Sequence, residues 1–117
     1  MVEDTVTDGK RIAQLLASEL TGLEVRPLNR VAVVDADSDA MPSDSGTLAY
    51  RITADESALA AVQMYPENIH VEFEKAPETT EIPAALQTDD PQVLTVTSGA
   101  EVKRAVDVLR AVIREQR

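Results

Sequence analysis

Ala60-Ala61-Val62-Gln63-Met64-Tyr65-Pro66-Glu67-Asn68-Ile69-His70-Val71-Glu72-Phe73-Glu74 is the stretch on which the fold turns. Apolar and polar residues alternate along it, the pattern of two half-buried strands joined by a tight turn. A two-residue turn at Glu67-Asn68 sets Met64 opposite Val71 and Val62 opposite Phe73. One apolar face results, with Tyr65 beside His70 on the other. The first half has a competing reading, because Asp55-Glu56-Ser57-Ala58-Leu59 can equally cap and start a short helix that ends before Pro66. The consistent apolar face favours the strand.

Working outward, Val31 to Asp35, Thr47 to Thr53 and Gln92 to Thr97 carry the same β-branched, alternating character. In the second of these, Leu48, Tyr50 and Ile52 are expected to face the core and Thr47, Arg51 and Thr53 to face away. The ends of the chain are helical in pattern. Ile12, Leu15, Leu16, Leu20 and Leu23 recur at the helical period within Asp8 to Leu23, with Thr7 or Asp8 as the cap and Gly22 near the end. Val102, Ala105, Val106, Leu109, Val112 and Ile113 form the stripe of a second helix. Its start, Ser98-Gly99-Ala100-Glu101, reads as a capping box. Asp35 to Gly46 and Lys75 to Pro91 are rich in turn formers and read as loops, the latter with one helical turn around Ala84 to Gln87. The connections between the middle strands are too short for parallel crossovers. The expected fold class is α+β: one domain over residues 1–117, a two-layer sandwich of about five antiparallel strands with the N- and C-terminal helices on one face.

Composition bounds the chemistry. The 117 residues contain no cysteine, which excludes disulfides, a thiol nucleophile and thiolate-held metals. No segment has the length of apolar chain needed to span a membrane, and Met1-Val2-Glu3-Asp4-Thr5 lacks the basic and apolar regions of a signal peptide, so a mature cytoplasmic protein is expected. Asp and Glu number 21 against 11 basic residues, of which only Lys10, Lys75 and Lys103 are lysines. The acid is concentrated in the middle, where residues 31–100 hold 13 acidic and 2 basic side chains. Such a surface repels itself in dilute buffer and is screened in molar salt, where the Debye length is about 3 Å; it is the balance expected of a halophile.

Thr7-Asp8-Gly9-Lys10-Arg11-Ile12-Ala13-Gln14-Leu15-Leu16-Ala17-Ser18-Glu19 and Ser98-Gly99-Ala100-Glu101-Val102-Lys103-Arg104-Ala105 resemble the corresponding stretches of an uncharacterised family of small haloarchaeal proteins. That resemblance covers most of the chain and implies no activity. The order of a tyrosine-bearing strand, hairpin, Asp-Pro turn, strand and final helix also resembles, in architecture only, the small bacterial frataxin-like iron chaperones. Frataxins carry an acidic ridge on and beside the first helix. Lys10 and Arg11 stand on that helix here, so the resemblance does not bring iron binding with it.

Candidate chemistry is sparse. Asp35-Ala36-Asp37-Ser38-Asp39 begins like a calcium loop, but Ala40 and Gly46 occupy the positions that require Gly and Glu, which leaves a solvated acidic loop. Thr97-Ser98-Gly99 lacks the glycines and lysine of a phosphate-binding turn. His70 is the only histidine. It shares the polar strand face with Tyr65, Glu72 and Gln63, a group with acid–base capacity but no accompanying nucleophile; if wetted, its pKa should be raised by Glu72. Glu19, seven residues after Ile12, falls within the first helix's apolar stripe, where it needs the rim, a proton or a partner such as Arg26, Arg30 or Arg51. Lys103, Arg110, Arg114 and Arg117 share one sector of the last helix with Asp107. Without stacking aromatics and at a net charge of −10, that sector argues against nucleic acid as partner.

The expectation is a non-enzymatic binding or assembly module, with an unidentified protein partner or self-association through a sheet edge or the uncovered sheet face. No catalytic residue or cofactor is assigned. The alternative is a small-molecule or metal-handling protein, or an enzyme, that uses Tyr65, His70 and Glu72, with Glu19 as a further ligand-binding candidate. The charge pattern also makes a direct prediction: the thermal midpoint should rise as KCl goes from low to molar concentration, because repulsion among the carboxylates of residues 31–100 is screened. Melts across a KCl series check it, and a midpoint that is flat or falls with salt contradicts the halophile reading.

Overall fold

Alternating strands with short links can only fold back on their neighbours, and the middle of the chain does so. The computed structural model describes residues 8–22, 31–37, 39–78 and 80–115. Within them lie helix α1 (Gly9–Gly22), strands β1 (Val31–Val34), β2 (Thr47–Ala54), β3 (Ser57–Met64), β4 (Ile69–Phe73) and β5 (Val93–Val96), and helix α2 (Gly99–Glu115). The strands form one antiparallel sheet in the order β1-β2-β3-β4-β5. Both helices contact each other and the same side of the sheet. This is the expected α+β sandwich.

The competition over residues 55–65 resolves as strand. Asp55 and Glu56 take φ of 52° and 69°, the left-handed pair that a two-residue hairpin requires, so β3 begins at Ser57. The next turn differs from expectation by two residues: Val62 pairs with Val71 and Met64 with Ile69. Pro66-Glu67 forms the turn, and the Tyr65 amide donates to the Asn68 carbonyl at 2.8 Å. Proline's fixed φ suits the first turn position. A shift of two leaves every side chain on its expected face.

Two bulges make a larger difference. Ala49 is the extra residue between Leu48 and Tyr50, and Leu59 the extra one between Ala58 and Ala60. Each bulge turns two consecutive residues into the core, Ala49 with Tyr50 and Leu59 with Ala60. Leu48 therefore lies opposite Gln63 on the uncovered face, not in the core as expected, and Thr47 lies opposite Met64.

The buried set is continuous. Ile12, Leu16 and Leu20 of α1 and Val102, Val106, Leu109, Val112 and Ile113 of α2 close over Ile52, Val62, Ile69, Val71, Leu94 and Val96. Each such side chain contributes about 1.5–3 kcal/mol of transfer free energy. The Tyr50 hydroxyl, also buried, donates to the Ala13 carbonyl at 2.7 Å and ties β2 to α1. Burial pushes its phenol far above the ordinary tyrosine pKa.

The caps divide between expectation and correction. Asp8 caps α1, its Oδ1 accepting the Lys10 amide at 2.9 Å, whereas Thr7 and Leu23 lie outside the described residues. At α2 the capping box does not close. The Ser98 carbonyl accepts the Glu101 amide (3.1 Å), and the Glu101 carboxylate turns to Arg104 (3.2 Å). The 75–91 connection holds its helical turn at Ala84–Leu86, buries Leu86 and is pinned by Glu115, which accepts from the Glu78 and Thr80 amides at 2.8 and 2.7 Å. Gln87 bridges to Leu94 on the outer side of β5.

Leu109→Ala should cost roughly 2–5 kcal/mol and Tyr50→Phe about 1 kcal/mol, while Ser98→Ala should change little. Denaturant titrations rank the three. A Ser98→Ala loss as large as that of Leu109→Ala would contradict this packing.

Candidate functional site

With the helices on one side, the other side of the sheet is built from the alternate residues of each strand. Register places Val34, Arg51, Ala61, Glu72 and Val93 in one transverse row, and Leu48, Gln63, His70 and Thr95 in the next. Ala61, Gln63, His70 and Glu72 are half-buried, and Arg51 and Val34 exposed. The Arg51 guanidinium meets Asp35 at 3.0 Å, a pair open to water on both sides and therefore worth little on its own. Glu72 makes no ion pair within the described residues.

Tyr65 and His70 come together as expected, although Gln63 is the residue directly opposite His70. Their ring centroids are 4.5 Å apart with planes inclined by 46°. Tyr65 is fixed from beneath by Gly46, whose φ of 90° and lack of a side chain let the phenol ring approach; a Cβ there would stand 2.9 Å from the ring. The same turn is tied to α1, where the buried Gly9 amide donates to the Pro66 carbonyl at 3.1 Å.

The expected direction of the His70 pKa is corrected. Burial pulls it below the ordinary 6.5 and outweighs the upward pull of the neighbouring Glu72 carboxylate. Packing against Tyr65 removes water from the imidazolium, and the partly wetted carboxylate does not replace that hydration.

Glu19 does not join this group. It lies half-buried on α1, in the helical layer on the far side of the sheet, and no charged side chain belongs to the buried core among the described residues. Arg51 is engaged with Asp35; Arg26 and Arg30 lie outside the described residues. The Asp35–Gly46 segment uses its carboxylates locally, Asp37 Oδ1 accepting the Asp39 amide at 2.9 Å. On α2, Lys103 and Arg114 are exposed and Arg110 half-buried, while Arg117 lies outside the described residues. Arg114 and Arg104 share an open groove of about 660 Å³ with Glu81, Asp107 and Glu115, so positive charge there is interleaved with negative.

Two smaller cavities flank the sheet. One of about 210 Å³ lies between α1 and β1–β2, lined chiefly by Ala13, Ala17, Val33 and Ala49. Another of about 310 Å³ lies under the 77–91 connection. Neither these nor the α2 groove is lined by Tyr65, His70, Glu72 or Glu19. What sequence reasoning missed is the transverse row of Arg51, Ala61 and Glu72. Alternation fixes the face of each, but the row depends on both hairpins: Pro66 would have indicated the Ala61–Glu72 pairing, whereas Arg51–Ala61 rests on the Asp55-Glu56 turn and the Leu59 bulge.

A family model described as a family of unknown function, DUF7993, matches residues 1–117. No curated protein and no solved structure matches the chain.

The lowered His70 pKa carries a pH dependence. The unfolded chain takes up the proton first, so stability is level above pH 6.5, falls as pH drops through that value, and levels again below the folded pKa. An imidazole NMR titration should give a pKa below 6.5, and His70→Gln should remove this part of the slope. A titration above 6.5 contradicts the packing described.

Proposed function

The chain belongs to the DUF7993 family, and because that membership brings no function with it, we propose one from the surface: a non-enzymatic binding or assembly module. Its docking surface is the open sheet face bearing Arg51, Ala61, Gln63, His70 and Glu72. One observation carries the reading. Both helices lie on the same side of the sheet, which leaves a broad, shallow face of mixed apolar and charged side chains with no helix of the described residues over it. Small-molecule sites are concave and enclose most of their ligand, whereas partner proteins dock on shallow faces of this composition.

The competing reading, a small-molecule or metal-handling protein or an enzyme acting through Tyr65, His70 and Glu72, has less support. The three cavities described above open elsewhere, and the group holds one imidazole with no nucleophile or oxyanion donors among the described residues. Nucleic acid is disfavoured by the net charge of −10 and by the acids set among the cations of α2. No helix of the described residues is long and apolar enough to cross a membrane. We further place the module in the cytoplasm of a salt-loving, haloarchaeal-type cell; its acid excess, scarcity of lysine and lack of cysteine support that setting. The likeness to frataxin-like chaperones stays one of architecture, with Lys10 and Arg11 on α1.

The test immobilises the wild-type chain and an Ala61→Arg variant of matching thermal midpoint, and exposes both to extract in molar KCl. Ala61→Arg plants a long cation in the middle of the face, so a polypeptide retained by wild type should be lost from the variant at least tenfold. Equal retention by the two contradicts the proposal.

A further inference from the structure

We infer that the occupant of the open face is a second copy of this chain, docked face to face about a two-fold axis that runs along β3 past Ala61. The inference rests on the binding-module reading above and names its partner. β3 is the middle strand of five, so such an axis lays β2 of one copy over β4 of the other. The transverse register then becomes a contact map. Arg51 on β2 and Glu72 on β4 flank Ala61 in a single row, and the axis sets each Arg51 against the Glu72 of the other copy, twice. The same operation sets Val34 against Val93 at the rim and covers the exposed Val34 side chain. In the next row Gln63 meets Gln63, an amide pair that can donate and accept in both directions, and Leu48 covers the His70 ring. Ala61, at the axis, is small enough for the sheets to approach.

The other in-plane axis, perpendicular to the strands, puts each strand over its own copy and Arg51 against Arg51. Only the axis along β3 joins opposite charges. Aligned sheets pack at about −30°, and Arg51 and Glu72 stand one strand spacing, about 4.8 Å, from the axis. The tilt offsets them by only about 2.5 Å, within the reach of both side chains. Arg51 keeps donors for Asp35 as well, and Glu72, which has no ion pair within the described residues, gains its counter-charge.

Five strands at this spacing present a face roughly 20 Å across, which places the interface at the small end of stable ones. Two chains of net charge −10 also repel until salt screens them, so association strengthens from low to molar KCl. The outer edge of β1 is the other route to a dimer, but it offers four residues, Val31–Val34, and no charge pairing.

Sedimentation equilibrium of the full chain across KCl concentrations, with thermal midpoints monitored for every variant, tests the inference. Wild type should dimerise. Arg51→Glu and Glu72→Arg should each weaken the dimer about tenfold or more, and the double variant Arg51→Glu/Glu72→Arg should recover most of that loss. The double variant still lacks the Asp35 pair, so recovery does not come from restoring that pair. Gln63→Lys, which sets two ammonium groups across the axis, should dissociate the dimer independently. A wild type that stays monomeric, a double variant no tighter than the singles, or a dimer broken only by Val33→Pro in the β1 edge overturns it. Should the chain be monomeric while Ala61→Arg still abolishes capture from extract, the second copy is refuted and the binding reading stands; loss of both refutes both.

Discussion

Two helices on a single side of a five-stranded meander are the constraint from which the rest of the structure follows. One side of the sheet must be apolar enough to hold Leu16, Leu20, Leu109 and Ile113; the other must tolerate water. Period-two alternation meets both demands with one pattern. Where the core needs more than alternation supplies, the bulges at Ala49 and Leu59 turn an extra side chain inward. The hydroxyl of Tyr50, next to the first bulge, then reaches the Ala13 carbonyl and fixes α1 over the sheet.

The same constraint shapes the chemistry of the open face. Its polar groups are half-covered by one another, because neighbouring strands carry long side chains in adjacent rows. His70 illustrates the balance: Tyr65 packs 4.5 Å away and dries it, Glu72 pulls the other way, and drying wins. Arg51 and Glu72 sit one strand to either side of Ala61, placed symmetrically about β3, and Arg51 pairs with Asp35.

Much of this was legible because faces depend on parity alone. A register displaced by two left Tyr65 and His70 neighbours and kept Val62, Val71 and Phe73 on the buried side. Strand ends and caps were harder. Asp55-Glu56 adopts a left-handed turn that most sequences reserve for Asn-Gly, so that hairpin carried no local signal. Leu48 was misplaced because a bulge reverses parity beyond it, and nothing in Leu48-Ala49-Tyr50 marks one. Ser98 and Glu101 fitted a capping box in spacing, yet Arg104, one turn on, competes successfully for the carboxylate. The His70 direction failed for a related reason: the sequence places Glu72 two residues away but does not reveal how far Tyr65 excludes water.

The proposed docking surface is the uncovered sheet face, and not the α2 groove or the β1 edge. The most direct measurement is a dilution series of backbone amide NMR spectra in molar KCl. Face-to-face association should give concentration-dependent shifts at Arg51, Ala61, Gln63, His70 and Glu72, with Asp107, Ala111 and Arg114 unmoved. Shifts confined to Val31–Val34, or to the exposed side of α2, would contradict it.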